Sequence, residues 1–416
     1  MKRLLCSLLL AVAAPAHADI TNRQILPLGE RESFLANSGT GDAGDTGAVY
    51  YNPAGLTALK SDKISVLGSV YLSYSTSTEA LAHLDGTDVP YSASGFNSIP
   101  VTFVAAKKIA AWTLAFSALI PDSLQAENRS PVKTPSTTGT ILQSYRLSDV
   151  WLGISAARPL DEESPWSFGA TLFVVQHSQN NTAGILVDVP SGTNAFSLGI
   201  SRVQLNTVGL TPNLGVHYRA SKEINLGLRL QLPLIQIAGK ADTYNALRSS
   251  AASVTPTTED KADTQAYYQL PLDATLGAAF TPTPSVEFLT DLSFQVGTTY
   301  DSIPGSSLNN HYETGFTPRL NLGIEAKPDP TFPIRAGFFY NPSALHYLSD
   351  GGASSRENYY GLTTGFAVIT QHVESGIGFF YIWAQGEVIP AGGPIDARAK
   401  LSTSAVGGLL TTAYVF

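Results

Sequence analysis

Apolar and polar residues alternate with a period of two along most of this chain. Ile224, Leu226, Leu228, Leu230 and Leu232 interleave with Asn225, Gly227, Arg229 and Gln231. Ile64, Val66, Val70, Leu72 and Tyr74 alternate with Ser65, Ser69 and Ser73, and Trp112, Leu114, Phe116 and Ile120 with Thr113 and Ser117. Val286, Phe288, Leu292 and Phe294 oppose Glu287, Asp291 and Gln295. Leu320, Leu322 and Ile324 oppose Arg319, Asn321 and Glu325, and Ile377, Phe379, Tyr381 and Trp383 oppose Gly376 and Gly378. Successive strand side chains point to opposite faces, so each segment predicts one strand with one apolar face. Strands are expected near 62–75, 97–107, 110–120, 146–158, 166–177, 202–219, 223–237, 265–280, 285–297, 316–326, 332–341, 357–370, 374–385 and 402–416. The connections between them alternate short and long, the long ones being 76–96, 121–145, 178–201, 238–264, 298–315, 342–356 and 386–401. An even number of strands with alternating short turns and long loops predicts an all-β fold. It is a transmembrane antiparallel barrel of about fourteen strands, apolar outside and polar within, with both termini in the periplasm.

Composition agrees. The chain is 44% hydrophobic and only 14% charged, unlike a soluble secreted β-protein. Lys2 and Arg3, the apolar run Leu4 to Ala14 and the small-x-small signal Ala16-His17-Ala18 read as a signal peptide cut before Asp19. That run is too short for a membrane helix, which needs ~20 residues. Residues 1–18 are therefore expected to be removed, leaving 19–61 ahead of a barrel over 62–416. The one cysteine, Cys6, leaves with the signal, so the mature chain has no thiol metal ligand and no disulfide. Loss of Lys2 and Arg3 makes a chain with 25 basic and 33 acidic residues still more acidic, which argues against nucleic acid as a partner. Leu410, Thr412, Tyr414 and terminal Phe416 resemble the closing strand that the barrel-assembly machinery recognises. The expected location is the outer membrane of a Gram-negative bacterium, as a monomer among outer-membrane lipids.

Residues 19–61 lack alternation and are rich in small residues. Asn37 to Leu59 reads NSGTGDAGDTGAVYYNPAGLTAL, closing on Tyr51-Asn52-Pro53-Ala54-Gly55-Leu56. Gly39, Gly41, Gly44 and Gly47 permit positive φ and close backbone approach, and Pro53 biases Asn52 toward an extended backbone. This run resembles the N-terminal hatch of the FadL-type outer-membrane transporters for fatty acids and other hydrophobic molecules. Asn52, Pro53 and Ala54 match that family's N-P-A element, with Gly55 following. The resemblance implies a hatch inside the lumen and passive uptake of hydrophobic small molecules, fatty acids or aromatic hydrocarbons, without a cofactor. It also implies a landing groove between outer loops and a lateral gap at a kinked third strand. Segment 110–120 has no Gly or Pro before Pro121, a departure from that pattern, and Pro100, Pro212 and Pro233 are alternative weak points in the ladder.

Ile185, Leu186, Val187, Val189 and Phe196 are the candidate groove, with a lid over the barrel mouth as the other reading. Segment 238–264 offers mainly Ala, Ser and Thr, so long-chain fatty acid alone is not the expected ligand. Among inward charges, Arg229 and Arg335 match carboxylate geometry. An ion-pair lattice bracing hatch to wall is the commoner use of such charges in a polar lumen, for these arginines as for Glu287 and Asp291. No G-x-S-x-G, H-E-x-x-H or phosphate-binding glycine pattern occurs, so neither an enzyme nor a nucleotide- or metal-driven pump is expected. A PorV-like assembly or secretion component, which carries a similar N-P-A-G-L hatch without transporting small molecules, is the alternative.

Overall fold

A computed structural model describes residues 22–416, except 24, 43, 85, 135–136, 190–194, 251–254, 346–354 and 391–396. The signal segment 1–18 lies outside the described residues. Seventeen sheet segments form fourteen strands, because three strands are interrupted. They are β1 (Lys63–Leu84), β2 (Thr87–Ile109), β3 (Trp112–Leu119, resuming at Ser123–Lys133), β4 (Thr138–Pro159), β5 (Trp166–Val189) and β6 (Ala195–Arg219). There follow β7 (Ile224–Gln231, resuming at Ile235–Ser249), β8 (Thr257–Gln265, resuming at Asp273–Thr283), β9 (Val286–Gln295) and β10 (Thr317–Asp329). β11 (Phe332–Asn341), β12 (Ser355–Ile369), β13 (Val373–Val388) and β14 (Ala399–Val415) complete the wall. Every neighbouring pair is antiparallel, and β1 closes the barrel on β14, with Lys63 opposite Val415.

The fourteen strands come in the predicted order, but several are far longer than predicted. β1, β2, β4, β5 and β6 run to 22–25 residues, where a tilted strand crosses a bilayer in about 9–11. Much of the predicted loops 76–96, 121–145, 178–201 and 238–264 is continued strand. Few residues separate β1 from β2 and the resumed β3 from β4, so the short–long alternation fails there. The cause is an inversion of the faces. In the lower wall, apolar side chains point outward, as with Leu226, Leu228, Leu152 and Ile154. Above it, Ser73, Ser75, Ser144, Arg146, Gln176 and Asn180 face out, while Leu81, Val89, Tyr91, Val132, Ile141 and Ile185 pack inside as a separate core.

β1 makes this inversion through a bulge. Its register with β14 shifts between Leu67 and Tyr71, and an extra residue in one strand exchanges its two faces. Ile64 and Val66 consequently face out, whereas Leu72 and Tyr74 are buried inside. The single face predicted for these residues is corrected to two; the Val70 side chain lies outside the described set. Aromatic pairs mark the rims of the apolar band, as membrane barrels require. Trp166 stacks on Tyr218 at 4.3 Å at the end carrying the termini, and Tyr340 on Tyr360 at 5.0 Å at the opposite, outer end.

Candidate functional site: an internal plug and the cavity above it

Residues 22–61 fold within the lumen and are mostly buried. Their backbone is satisfied by the wall. Asn213 Nδ2 donates to the Tyr50 carbonyl at 2.7 Å, Thr171 Oγ1 to that of Val49 at 2.8 Å, Asn321 Nδ2 to that of Ala36 at 2.7 Å and Thr363 Oγ1 to that of Phe34 at 2.8 Å. Inward polar residues of β5, β6, β10 and β12 thus stand in for the secondary structure that the segment lacks.

Asn52 is fully buried with an extended backbone (φ −165°, ψ 98°), and Pro53 opens a 3₁₀ turn over Pro53–Ala58. Its Oδ1 accepts from the Ala54 N–H at 3.2 Å, while Nδ2 donates to the carbonyls of Thr40 (2.9 Å) and Val216 on β6 (3.0 Å). Ala54 is likewise fully buried, and the Gly55 N–H donates to the Asn52 carbonyl at 2.8 Å. Of the four glycines Gly39, Gly41, Gly44 and Gly47, only Gly44 adopts positive φ (102°). Close approach explains Gly39, where an added Cβ would stand 2.7 Å from the Glu32 Cγ. The wall reciprocates at Gly227, where a Cβ would meet the Thr40 carbonyl.

Charges tie plug to wall in two groups. Arg31 bonds Asp42 within the plug, Glu287 on β9 at 2.5 Å and Glu325 on β10 at 3.0 Å. Lys63 contacts Glu30 at 2.9 Å, Asp45 at 3.2 Å and Glu374 on β13 at 3.6 Å. Beside them Glu32 is buried, and burial, reinforced by Asp45, pushes its carboxyl up to about 8. The four lumen charges singled out from the sequence all have partners here. Glu287 receives Arg31, and Asp291 accepts the N–H groups of Gly39 (3.0 Å) and Thr40 (2.9 Å). Arg335 pairs with Glu325 at 2.5 Å and Glu374 at 3.0 Å, and Arg229 shares Asp273 with Arg319.

Above the plug lies a cavity with about 830 Å³ of empty space, its mouth included, faced by Ile25, Leu26, Leu72, Leu124, Leu147 and Ile382. Its lining also includes the polar Asn22, Asp122, Asp149 and Tyr268. The cavity touches the wall where β3 is interrupted at 120–122. Below the break β3 pairs with both β2 and β4, the β2 ladder ending at Thr102 opposite Leu119. Above it the resumed strand pairs with β4. The bond described from β2 is the Asn97 side chain to the Gln125 carbonyl at 3.2 Å. The bound expected for the third strand, 110–120, is corrected: the strand resumes at Ser123 and extends to Lys133, with Pro121 inside the break. Pro212 pairs with Leu172 on the β5 side, but on its other side it faces the interruption of β7 that holds Pro233, where its carbonyl accepts the Leu232 N–H at 2.9 Å; the Pro100 side chain is not among those described.

β8 is interrupted as well. Between Gln265 and Asp273 it turns inward past Pro271 and buries Ala266, Tyr268 and Leu270. The Tyr268 hydroxyl donates to Asp149 Oδ2 at 2.8 Å, and its ring stacks on His177 at 3.7 Å. His177 Nδ1 lies 2.6 Å from Asp149 Oδ1. Sequence reasoning read His177 as the end of a strand and gave Tyr268 no role; Pro271 was the available signal that the strand would not run straight.

The candidate groove residues do not share one surface. Ile185 and Val187 join the inner core of the outer extension, whereas Leu186 and Phe196 are 45% and 44% exposed on the outside. The Val189 side chain lies outside the described residues. Among the described residues, no group of three His, Cys, Asp or Glu is placed to hold a metal ion.

This is the fold of the FadL-type channels. No protein-family model matches the sequence, and no curated protein matches it. Solved structures do. A Pseudomonas aeruginosa FadL homologue superposes with a TM-score of 0.68 at 13% identity, covering 95% of this chain and 99% of that one. The toluene transporter TodX of P. putida gives 0.69 at 14% identity over 94% and 99%, and the toluene transporter TbuX of Ralstonia pickettii gives 0.61 at 15% over the same shares.

Proposed function

We propose that the chain is an outer-membrane channel through which hydrophobic small molecules diffuse passively, with residues 19–61 acting as its hatch. The carrying observation is an apolar cavity seated on the plug and touching the wall where the β2–β3 ladder lapses. A molecule entering from the outer end would meet the cavity, be stopped below by the plug and leave sideways past Pro121. The likeness in fold to the toluene transporters TodX and TbuX supports this reading. The cavity also weighs against the assembly-component alternative, which needs no internal ligand site. Uptake of radiolabelled toluene and octanoate into cells should fall when the gene is deleted and recover on complementation. Unchanged uptake of every apolar compound tested would overturn the proposal.

A further inference from the structure

Two charges stand where the barrel should have none. On the outward positions of the lower wall the side chains are apolar, small or hydroxylic, and among the described residues only Lys107 on β2 and Arg158 on β4 carry a charge there. Lys107 lies between the exposed Phe103 and Ile109, and Arg158 continues the exposed series of Leu152 and Ile154. Both sit at the end carrying the termini, and they bracket the interrupted strand. Leu114 of β3 has Lys107 opposite it on one side and Ala156 on the other, with Arg158 two residues nearer the rim. Two strand spacings set the cations roughly 10 Å apart across the wall.

Neither is neutralised by the protein. Arg158 Nε donates to the Pro159 carbonyl at 3.3 Å, and its guanidinium lies over the Trp112 ring at 5.3 Å. Among the described residues no carboxylate pairs with either side chain. A cation on a lipid-facing strand is costly unless its stem reaches the headgroups, so an unpaired couple at this depth calls for an anion supplied by the bilayer. Above them the surface is apolar, with Phe103 against Phe116 at 6.4 Å and Ile154 72% exposed. From Leu114 to the break at 120 the strand climbs roughly 20 Å along its own axis. Tilted in the wall, that is about the depth of one leaflet's hydrocarbon.

In the outer-membrane setting proposed above, we propose that Lys107 and Arg158 hold the phosphate of an anionic phospholipid from the periplasmic leaflet, phosphatidylglycerol being the simplest. Its acyl chains lie over Phe103, Phe116 and Ile154 and end level with the break in β3. Phosphatidylethanolamine fits less well, because its own ammonium offsets the phosphate and faces two like charges.

Native mass spectrometry of the detergent-solubilised full-length protein, given equal amounts of phosphatidylglycerol, phosphatidylethanolamine and phosphatidylcholine with matched chains, tests the site. One phosphatidylglycerol should be retained per barrel, preferred roughly tenfold, which is within what two interfacial cations supply. Lys107→Gln combined with Arg158→Gln should keep the heat-resistant gel mobility and retain the three lipids alike. Lys222→Gln removes the same kind of charge from the turn between β6 and β7 at the same end, and should keep the preference. Equal retention of the three lipids by the unaltered protein, a preference that survives the double substitution, or an equal loss on Lys222→Gln would each overturn the site. Each would leave hydrophobic uptake standing, since the deletion strain tests that separately.

Discussion

The side chain of Asn52 bonds the backbone of Val216, 164 residues further on, at 3.0 Å. One amide therefore holds together the N-P-A-G turn, the glycine-rich stretch at Thr40 and strand β6.

Asn52→Ala should loosen the plug without opening the barrel. It removes three hydrogen bonds, among them those to the buried Thr40 carbonyl and from the Ala54 N–H, a cost of roughly 1–3 kcal/mol. That is small for a wall paired all the way round. The variant should keep its heat-resistant gel mobility, yet show altered uptake and brief conductance events in planar bilayers. A silent variant with normal uptake would reduce the turn to a structural lead-in.

Arg31→Gln should act more strongly. It leaves Glu287 and Glu325 facing a buried neutral group, and breaking such a network typically costs about 3–5 kcal/mol. Limited proteolysis should then cut within residues 22–61, releasing a short fragment from an intact barrel. Arg31→Lys should restore protection only in part, because a single ammonium cannot span three carboxylates.

The seating of the plug should depend on pH through Glu32. Its carboxyl is raised by burial to about 8 when seated and returns to the ordinary range near 4.3 once exposed. The seated form thus retains a proton that the released form gives up, so seating is strongest below that range and weakens as pH rises toward 8. Glu30, also raised by burial, acts in the same direction, while Lys63 holds Asp45 down against its burial and makes it act oppositely at acid pH. Arg31, Asp42, Lys63, Glu287, Glu325, Arg335 and Glu374 are the other charges of these groups. Hydrogen exchange across residues 30–58 should accelerate between pH 5 and 8.5. Glu32→Gln should flatten that rise.

The lapse in the ladder beside β3 should be a route. A disulfide engineered at Asn97 and Gln125, in a chain whose one cysteine is Cys6, would tie β2 to the resumed β3. Uptake should fall on oxidation and return with reductant. Indifference to the redox state would move the exit elsewhere.

How far these features could be read in advance depends on how local they are. The lipid-facing wall was legible because Leu226, Leu228 and Leu230 repeat one instruction at period two. The outer extension was read as loops because its strands turn apolar residues inward and serine, arginine and glutamine outward, leaving no lipid-facing run to notice. The bulge in β1 misled in the same way, since alternation continues across 67–71 while its meaning reverses. Asn52 was expected to bond backbone, but that Val216 would receive it depends on the closed lumen. The contact of Tyr268 with Asp149, 119 residues apart, arises only because β8 leaves the wall. No spacing in the chain encodes it.

Lys63 has a further consequence. It is the first residue of β1 and pairs with Val415 at the seam between the two ends of the barrel, while its ammonium grips Glu30 and Asp45. The seam and the plug are fastened at one residue, so they cannot come apart independently. The Phe34 ring of the plug also lies against Gly376 and Gly378 on β13, so the plug is held by strands near both ends of the wall, and its release would slacken the closure between β1 and β14.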